Sequence, residues 1–234
     1  MINKEEIKKA YPYRIELHAH TKPASRCAEI PTEEVLRTFK NDGYDGIAIT
    51  NHCYLGAKDM NIEQFADFYR AELLNAVELG EKIGIKVYPG AELRFVNQND
   101  NDYLLFGYDP DDLYYLIQNL YGTVDDFVRN YKTDEMFLIQ AHPFRKGMEQ
   151  VDVNLLDAIE AFNMHPNHNS RVAVAERYAR ENGKIMTMGT DYHHENHDNL
   201  CATRAPYLPQ NEKELIKLLR SEDYVFEIGD KIIF

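Results

Sequence analysis

The chain has 234 residues, 26 of them Lys or Arg against 39 Asp or Glu for a net charge of −13, and 44% are hydrophobic. That content supports a sizeable core and excludes a disordered chain, a fibre and a mini-protein stapled by disulfides. The acidic surplus repels phosphate backbones and argues against duplex nucleic acid as a partner.

Residues 1–11 are polar, carry both charge signs and lack the apolar stretch of a signal peptide. Residues 13–21 read as a strand. Pro31-Thr32-Glu33-Glu34 opens a helix, since acids suit a first turn, and Gly43 closes it after about Asp42. A second strand covers 46–52. The clearest helix is 61–83, where Ile62, Phe65, Tyr69, Leu73, Ala76, Leu79 and Ile83 recur at helical spacing. Strands follow at 86–95 and 103–108, then short helices at 111–120 and 123–131. Residues 136–142 form a strand ended by Pro143, and 156–163 form another. A helix over 170–182 closes at Gly183, a strand covers 184–190, a helix covers 212–221, and 224–234 is a late strand or hairpin. Strands alternating with helices predict βαβ units around a parallel sheet. With no linker and no internal repeat, one domain over 1–234 is the economical reading.

The three cysteines, Cys27, Cys53 and Cys201, are too few and scattered for a disulfide framework. Their odd count fits reduced thiols and a cytoplasmic address. No run approaches the roughly eighteen apolar residues of a membrane span.

The nine histidines are unevenly placed. His18, His20, His52, His142 and His193 fall at or just beyond the C-terminal end of an apolar run, as do Glu92 and Asp191. In a parallel barrel those ends converge on one rim, where active sites sit. In Glu16-Leu17-His18-Ala19-His20-Thr21, strand alternation puts Glu16, His18 and His20 on one face, where two imidazoles can grip one metal. Thr190-Asp191-Tyr192-His193 repeats the spacing after another apolar run. Gly90-Ala91-Glu92 adds a carboxylate, which can bridge two cations. His52 and His142 each end a further run. Any one of these residues alone would be an ordinary loop or core residue; the repeated placement is the signal.

The motifs, in order, are E-L-H-A-H-T, G-I-A-I-T-N-H, P-G-A-E-L, Q-A-H-P-F and M-G-T-D-Y-H. Their order, spacing and strand context resemble the PHP family, named for polymerase and histidinol phosphatase. The resemblance implies an α/β fold of distorted (β/α)7 TIM-like barrel type and a metal-dependent phosphoesterase, often with three metals among Mn, Fe, Zn and Mg. Carried over by position, His18, His20, Glu92 and Asp191 match ligands of a first metal. Glu92 and His142 match two ligands of a second, and His52 and His193 two of a third. The family often has a histidine where Arg26 and Tyr103 stand, and an aspartate where Asn51 stands.

These readings give a hydrolase of small phosphate monoesters that uses a water activated by divalent metal. One or two metals are expected, with three as the upper bound. Asp191 or His193 would orient the water or protonate the leaving group. Arg26, in the place of a lost ligand, and Arg145, in the loop above the His142 strand, would bind the substrate phosphate. A nuclease, an amide or ester hydrolase and a degenerate binding barrel are the rivals. His165, His168, His194 and His197 read as loop residues, and Cys53 as a packed thiol.

Overall fold

The computed structural model describes residues 4–233. A short helix, α1 (Lys4–Ala10), precedes β1 (Tyr13–Ala19), α2 (Thr32–Asn41), β2 (Gly46–Ile49) and the two-residue β3 (His52–Cys53). Then come α3 (Ile62–Ile83), β4 (Lys86–Arg94), β5 (Asp102–Phe106), α4 (Leu113–Gln118), α5 (Val124–Asn130) and β6 (Phe137–Gln140). The chain continues through β7 (Ala158–Asn163), α6 (Val172–Glu181), β8 (Ile185–Gly189), β9 (Cys201–Ala205) and α7 (Glu212–Ser221). It ends in a hairpin of β10 (Val225–Ile228) and β11 (Lys231–Ile233), as one of the two sequence readings of the tail had it; Phe234 lies outside the described residues.

Local chemistry sets the long helix. Asn61 accepts from the Gln64 backbone N–H while the Gln64 side chain accepts from Asn61, and Gly84 at φ 81° ends the helix in the left-handed region. The helix α1 and the strand β9 were not anticipated. The first buries Ile7 and pairs Lys8 with Glu227, and the second carries Arg204 inside a short buried run.

The sheet order is β11-β10-β9-β1-β2-β4-β5-β6-β7-β8, with β3 beside β4. The runs β1-β2-β4 and β6-β7-β8 are parallel, as the alternation predicts. Between them β5 runs antiparallel to both neighbours, so the sheet is not uniformly parallel. Residues 95–101 alone join β4 to β5, too few for a crossover. The sheet curls until residues beyond β8 meet the end of β1: Ala19 bridges Tyr192, and the His20 N–H donates to the Tyr192 carbonyl at 2.9 Å.

Each side of the sheet buries its own apolar set. Ala48, Tyr88, Leu104, Phe106, Phe137 and Ile139 pack inward, where α7 contributes Leu215 and Leu219. On the opposite side Ile47, Ile49 and Val87 meet Val35, Leu36 and Phe39 of α2 and Ala76 of α3. Helices α2 and α3 therefore cover the outer face while α7 packs on the inner one, and the strand ends are left for the site side chains.

Candidate metal centre

Two strand irregularities aim the site. In β1, Glu16 pairs with Ile47 and Ala19 with Ile49, so three steps of β1 oppose two of β2. Glu16 therefore shares the face of Ile47, which packs outward, while His18 turns to the inner cluster. Strict alternation would have kept Glu16 and His18 together, and that part of the sequence reading is corrected. The Glu16 carboxylate supports the bulge: Oε1 accepts from the N–H groups of Leu17 at 3.0 Å, His18 at 2.7 Å and Thr190 at 2.9 Å. Burial pushes its pKa up to about 7 even though those N–H donors favour the charged form. A matching irregularity in β7 lies between Glu160 and Phe162.

Beyond the strand ends, His142 (φ 30°) and Asp191 (φ 53°) lie at positive φ, a conformation that costs energy for residues other than glycine. Asp191 therefore reaches the site from a left-handed turn, not from an extended strand as its spacing with His193 suggested.

The strand ends bring His18, His20, His52, Glu92, His142, Asp191 and His193 together, all but His52 buried. Glu92 sits among four imidazoles. Its Oε1 lies 3.4 Å from His18 Nε2 and 3.2 Å from His142 Nε2; its Oε2 lies 3.3 Å from His20 Nε2 and 2.9 Å from His52 Nδ1. Asp191 Oδ1 is 3.5 Å from both His18 Nε2 and His20 Nε2, and 3.3 Å from His193 Nδ1.

Outer partners fix which ring nitrogen faces inward. Glu160, missed in the sequence, takes the Nδ1–H of His18 on Oε1 at 2.8 Å, and its Oε2 accepts from the His142 N–H at 2.8 Å. Ser25 Oγ donates to Asn51 Oδ1 at 2.9 Å, so it accepts from His20 Nδ1 at 3.1 Å. The Nε2 atoms of His18 and His20 then meet 3.1 Å apart as two lone pairs. Two acceptors repel at that distance unless a positive charge, a proton on His18 or a metal ion, stands between them. Donors around a tetrahedral or octahedral metal lie roughly 3.0–3.6 Å apart, the range found here. Glu92 Oε2, His52 Nδ1 and His142 Nδ1 are buried without a hydrogen-bond partner. The residues fit a divalent cation.

Charge gives the same answer. Burial alone would lower the pKa of His18, but Glu160, Asp191 and Glu92 outweigh it and raise it well above the ordinary value. Burial works against charge on Glu92 and Asp191 too, yet the surrounding imidazoles hold both well below the usual carboxylate range. His193, held by burial and then by His20, falls to about 2. Its Nδ1–H donates to the Asp191 carbonyl at 2.8 Å, leaving Nε2 free as an acceptor.

The remaining sequence candidates divide. Arg145 lines the cavity, donates to Asp191 Oδ2 and to Asn163 Oδ1 at 3.0 Å, and keeps a buried Nε without a partner. Arg26 is exposed and is not among the residues lining the cavity; its neighbour Cys27 lines it instead. Tyr103 faces the outer core against Phe95, and the preceding Asp102 faces the site, 3.9 Å from His142 Nε2 and paired with Arg94 at 2.8 Å. Asn51 ties the β1–α2 loop, accepting from the Thr21 N–H at 2.7 Å. His165, His168 and His194, read as loop residues, line the cavity, whereas Cys53 is buried in the core as expected. The cavity holds about 360 Å³. A groove of about 860 Å³ beside the start of β6 is larger but gathers no ligand cluster among the described residues.

Fold and donor set together define an α/β protein whose strand ends converge on a His/carboxylate cluster fit for divalent metal. The chain belongs to the PHP domain family, whose profile matches residues 16–230. No curated protein matches the sequence. Among solved structures, it resembles a two-domain Bacteroides vulgatus protein containing a predicted PHP-like metal-dependent phosphoesterase, with TM-score 0.67 and 15% identity. That match covers 95% of this chain, which spans 66% of the other's length. A Bifidobacterium adolescentis protein assigned as a metal-dependent phosphoesterase gives TM-score 0.56 at 14% identity, covering 88% of this chain and 95% of its own. An amidohydrolase from Chromobacterium violaceum, with bound sulfate and no metal, gives TM-score 0.53 at 13% identity, covering 79% and 89%.

Proposed function

We propose that this chain is a metal-dependent hydrolase of phosphate esters, favouring small monoesters, built as one distorted (β/α)7 barrel over residues 1–234. The observation that supports it most is Glu92, whose two oxygens each lie between two imidazoles, the arrangement of a carboxylate shared by two cations. His18, His20, Glu92 and Asp191 would hold a first metal, Glu92 and His142 a second, with Asp102 beside them, and His52 and His193 a third. Bound there, divalent metal supplies Lewis-acid pull on the ester oxygens and lowers the pKa of water.

The chain's own residues supply the rest. Arg145, with an unpartnered buried Nε at the cavity wall, takes a phosphate oxygen. The Arg145 and Asn163 contacts hold Asp191 with Oδ1 turned toward the imidazoles, where it orients the attacking water. His193 Nε2, fixed as an acceptor by the Nδ1–H bond, faces the cavity edge. A cavity of about 360 Å³ suits a small ester better than a polymer. The net charge of −13 argues the same way.

Metal analysis of the purified chain, with turnover on a panel of mono- and diesters, tests this reading. Changing His18 and His20 together to Ala should strip metal and abolish hydrolysis; a double variant with full metal and full rate would overturn it. The amidohydrolase neighbour supports one alternative, amide hydrolysis at the same site. An amide panel run in parallel separates the two.

A further inference from the structure

Cys27 lies in the loop between β1 and α2, and it is the one exposed cysteine of the three. Its Sγ stands 3.1 Å from His193 Nε2, and Cys27 lines the same cavity as His52. Because His193 Nδ1–H is committed to the Asp191 carbonyl, Nε2 offers a lone pair, and the thiol proton must point at it. The ring nitrogens of His20, His52 and His193 gather within 4.8 Å of one another. Beside them Glu92 Oε2, on a residue 1% exposed, has no hydrogen-bond partner although it lies 2.9 Å from His52 Nδ1. A thiol beside one imidazole, a second imidazole and an unsatisfied carboxylate oxygen thus line one corner of the cavity. The pattern of histidines gives this corner only two ligands, His52 and His193; the fold supplies the missing donor one residue after Arg26.

We propose that Cys27 is a metal ligand: its thiolate joins His52 and His193 in holding a thiophilic divalent cation such as zinc. The proposal rests on the metal-centre reading above and adds to it a soft donor and a third complete corner. Binding breaks the S–H bond, sends the proton to solvent and forms a sulfur–metal bond with no change of oxidation state. The lone pair of His193 Nε2, which had accepted that proton, turns to the cation. A corner with sulfur prefers zinc or cobalt to magnesium, whereas the all-His/carboxylate corner around His18 and Glu92 discriminates less.

Cobalt(II) makes the sulfur visible. The full chain, stripped of metal and titrated with cobalt(II), should develop a near-ultraviolet sulfur-to-cobalt charge-transfer band together with visible bands from the His and carboxylate donors. Cys27→Ser should lose the charge-transfer band and keep visible bands. Bound cobalt without a charge-transfer band, or a band that survives Cys27→Ser, overturns the proposal while leaving the metal centre standing. No bound cobalt at all overturns both. Alkylation gives a second readout, because Cys53 and Cys201 are buried and only Cys27 is open to reagent. Zinc should slow iodoacetamide labelling of Cys27 by roughly tenfold or more, since coordination removes the free thiolate. An unchanged labelling rate with zinc bound would also overturn it.

Discussion

Glu160 decides which proton His18 carries. One oxygen takes the imidazole Nδ1–H and the other takes the His142 backbone N–H and the Asn163 amide at 3.1 Å. Burial alone would raise its pKa; the facing His18, with His142, brings it below the ordinary value, so the carboxylate stays charged. Changed to Gln, the same site offers one acceptor and one donor. If the amide N–H faces His18, the imidazole must move its proton to Nε2 and lose the lone pair that points into the cluster; if it faces His142, two N–H groups collide. Glu160→Gln should therefore weaken metal binding by about 10- to 100-fold without touching a direct ligand. Competition with a calibrated chelator measures this, with circular dichroism to confirm folding; unchanged affinity would show that Glu160 is only filling space. A carboxylate inside the apolar run A-I-E-A-F-N was a visible signal in the sequence, because an unpaired charge does not survive in a buried strand. His18, His20, His142 and Glu92 were legible because each ends an apolar run. Asp102 and Cys27 were not: the first sits one position outside the strand as read, and the second lies in a loop without periodicity.

At the scale of strands, the site depends on how closely β8 approaches β1. Gly189 ends β8 and pairs with Asn163, while His18 crosses in front of it. A Cβ at this position would stand 2.4 Å from His18 Cβ and 2.9 Å from Glu160 Oε1. The first contact is too close to the backbone to swing away, so Gly189→Ala must push β1 and β8 apart. Overpacking of this kind costs about 1–3 kcal/mol. Gly189→Ala should lower the unfolding free energy from urea titration by that amount and also release metal, because it displaces His18 and its carboxylate partner together. An equal midpoint and equal metal content would show that the strands have slack. The strands themselves were largely legible, since short β-rich runs alternated with amphipathic helices. Their directions were less so. A run such as Tyr103 to Phe106 is buried on both faces and carries no sign of which way it points; only the short link from β4 turns it antiparallel. Bulges were invisible for the same reason, since they are settled by pairing with a neighbour that the local sequence does not name.

Over the whole molecule, the curled sheet is held from one side by a clasp that joins distant parts of the chain. Glu227 on β10 accepts from Arg14 of β1 at 2.9 Å, from Arg204 of β9 at 2.9 Å and pairs with Lys8 of α1 at 3.0 Å, while being only 3% exposed. Four elements thus meet at one carboxylate, and β1, which carries His18 and His20, is one of them. The long sequence separation of these partners kept the clasp out of reach of any local pattern. Burial would raise the pKa of Glu227, but Arg204, Lys8 and Arg14 override it and hold it below the ordinary carboxylate value. A carboxylate lowered on folding stabilises the folded state above its unfolded pKa, and that contribution is lost as pH falls through the folded value. Glu227→Gln removes the charge and leaves two largely buried guanidinium groups and an ammonium without a counter-charge. At neutral pH it should cost about 1.5–3 kcal/mol, the range for hydrogen bonds to charged groups. Urea unfolding of parent and variant across a pH series checks the sign. Their stabilities should differ most near neutrality and converge as the parent's Glu227 protonates, below the ordinary carboxylate range. A gap that stays constant through that acid range would mean that the packing of the side chain, and not its charge, holds these four elements together.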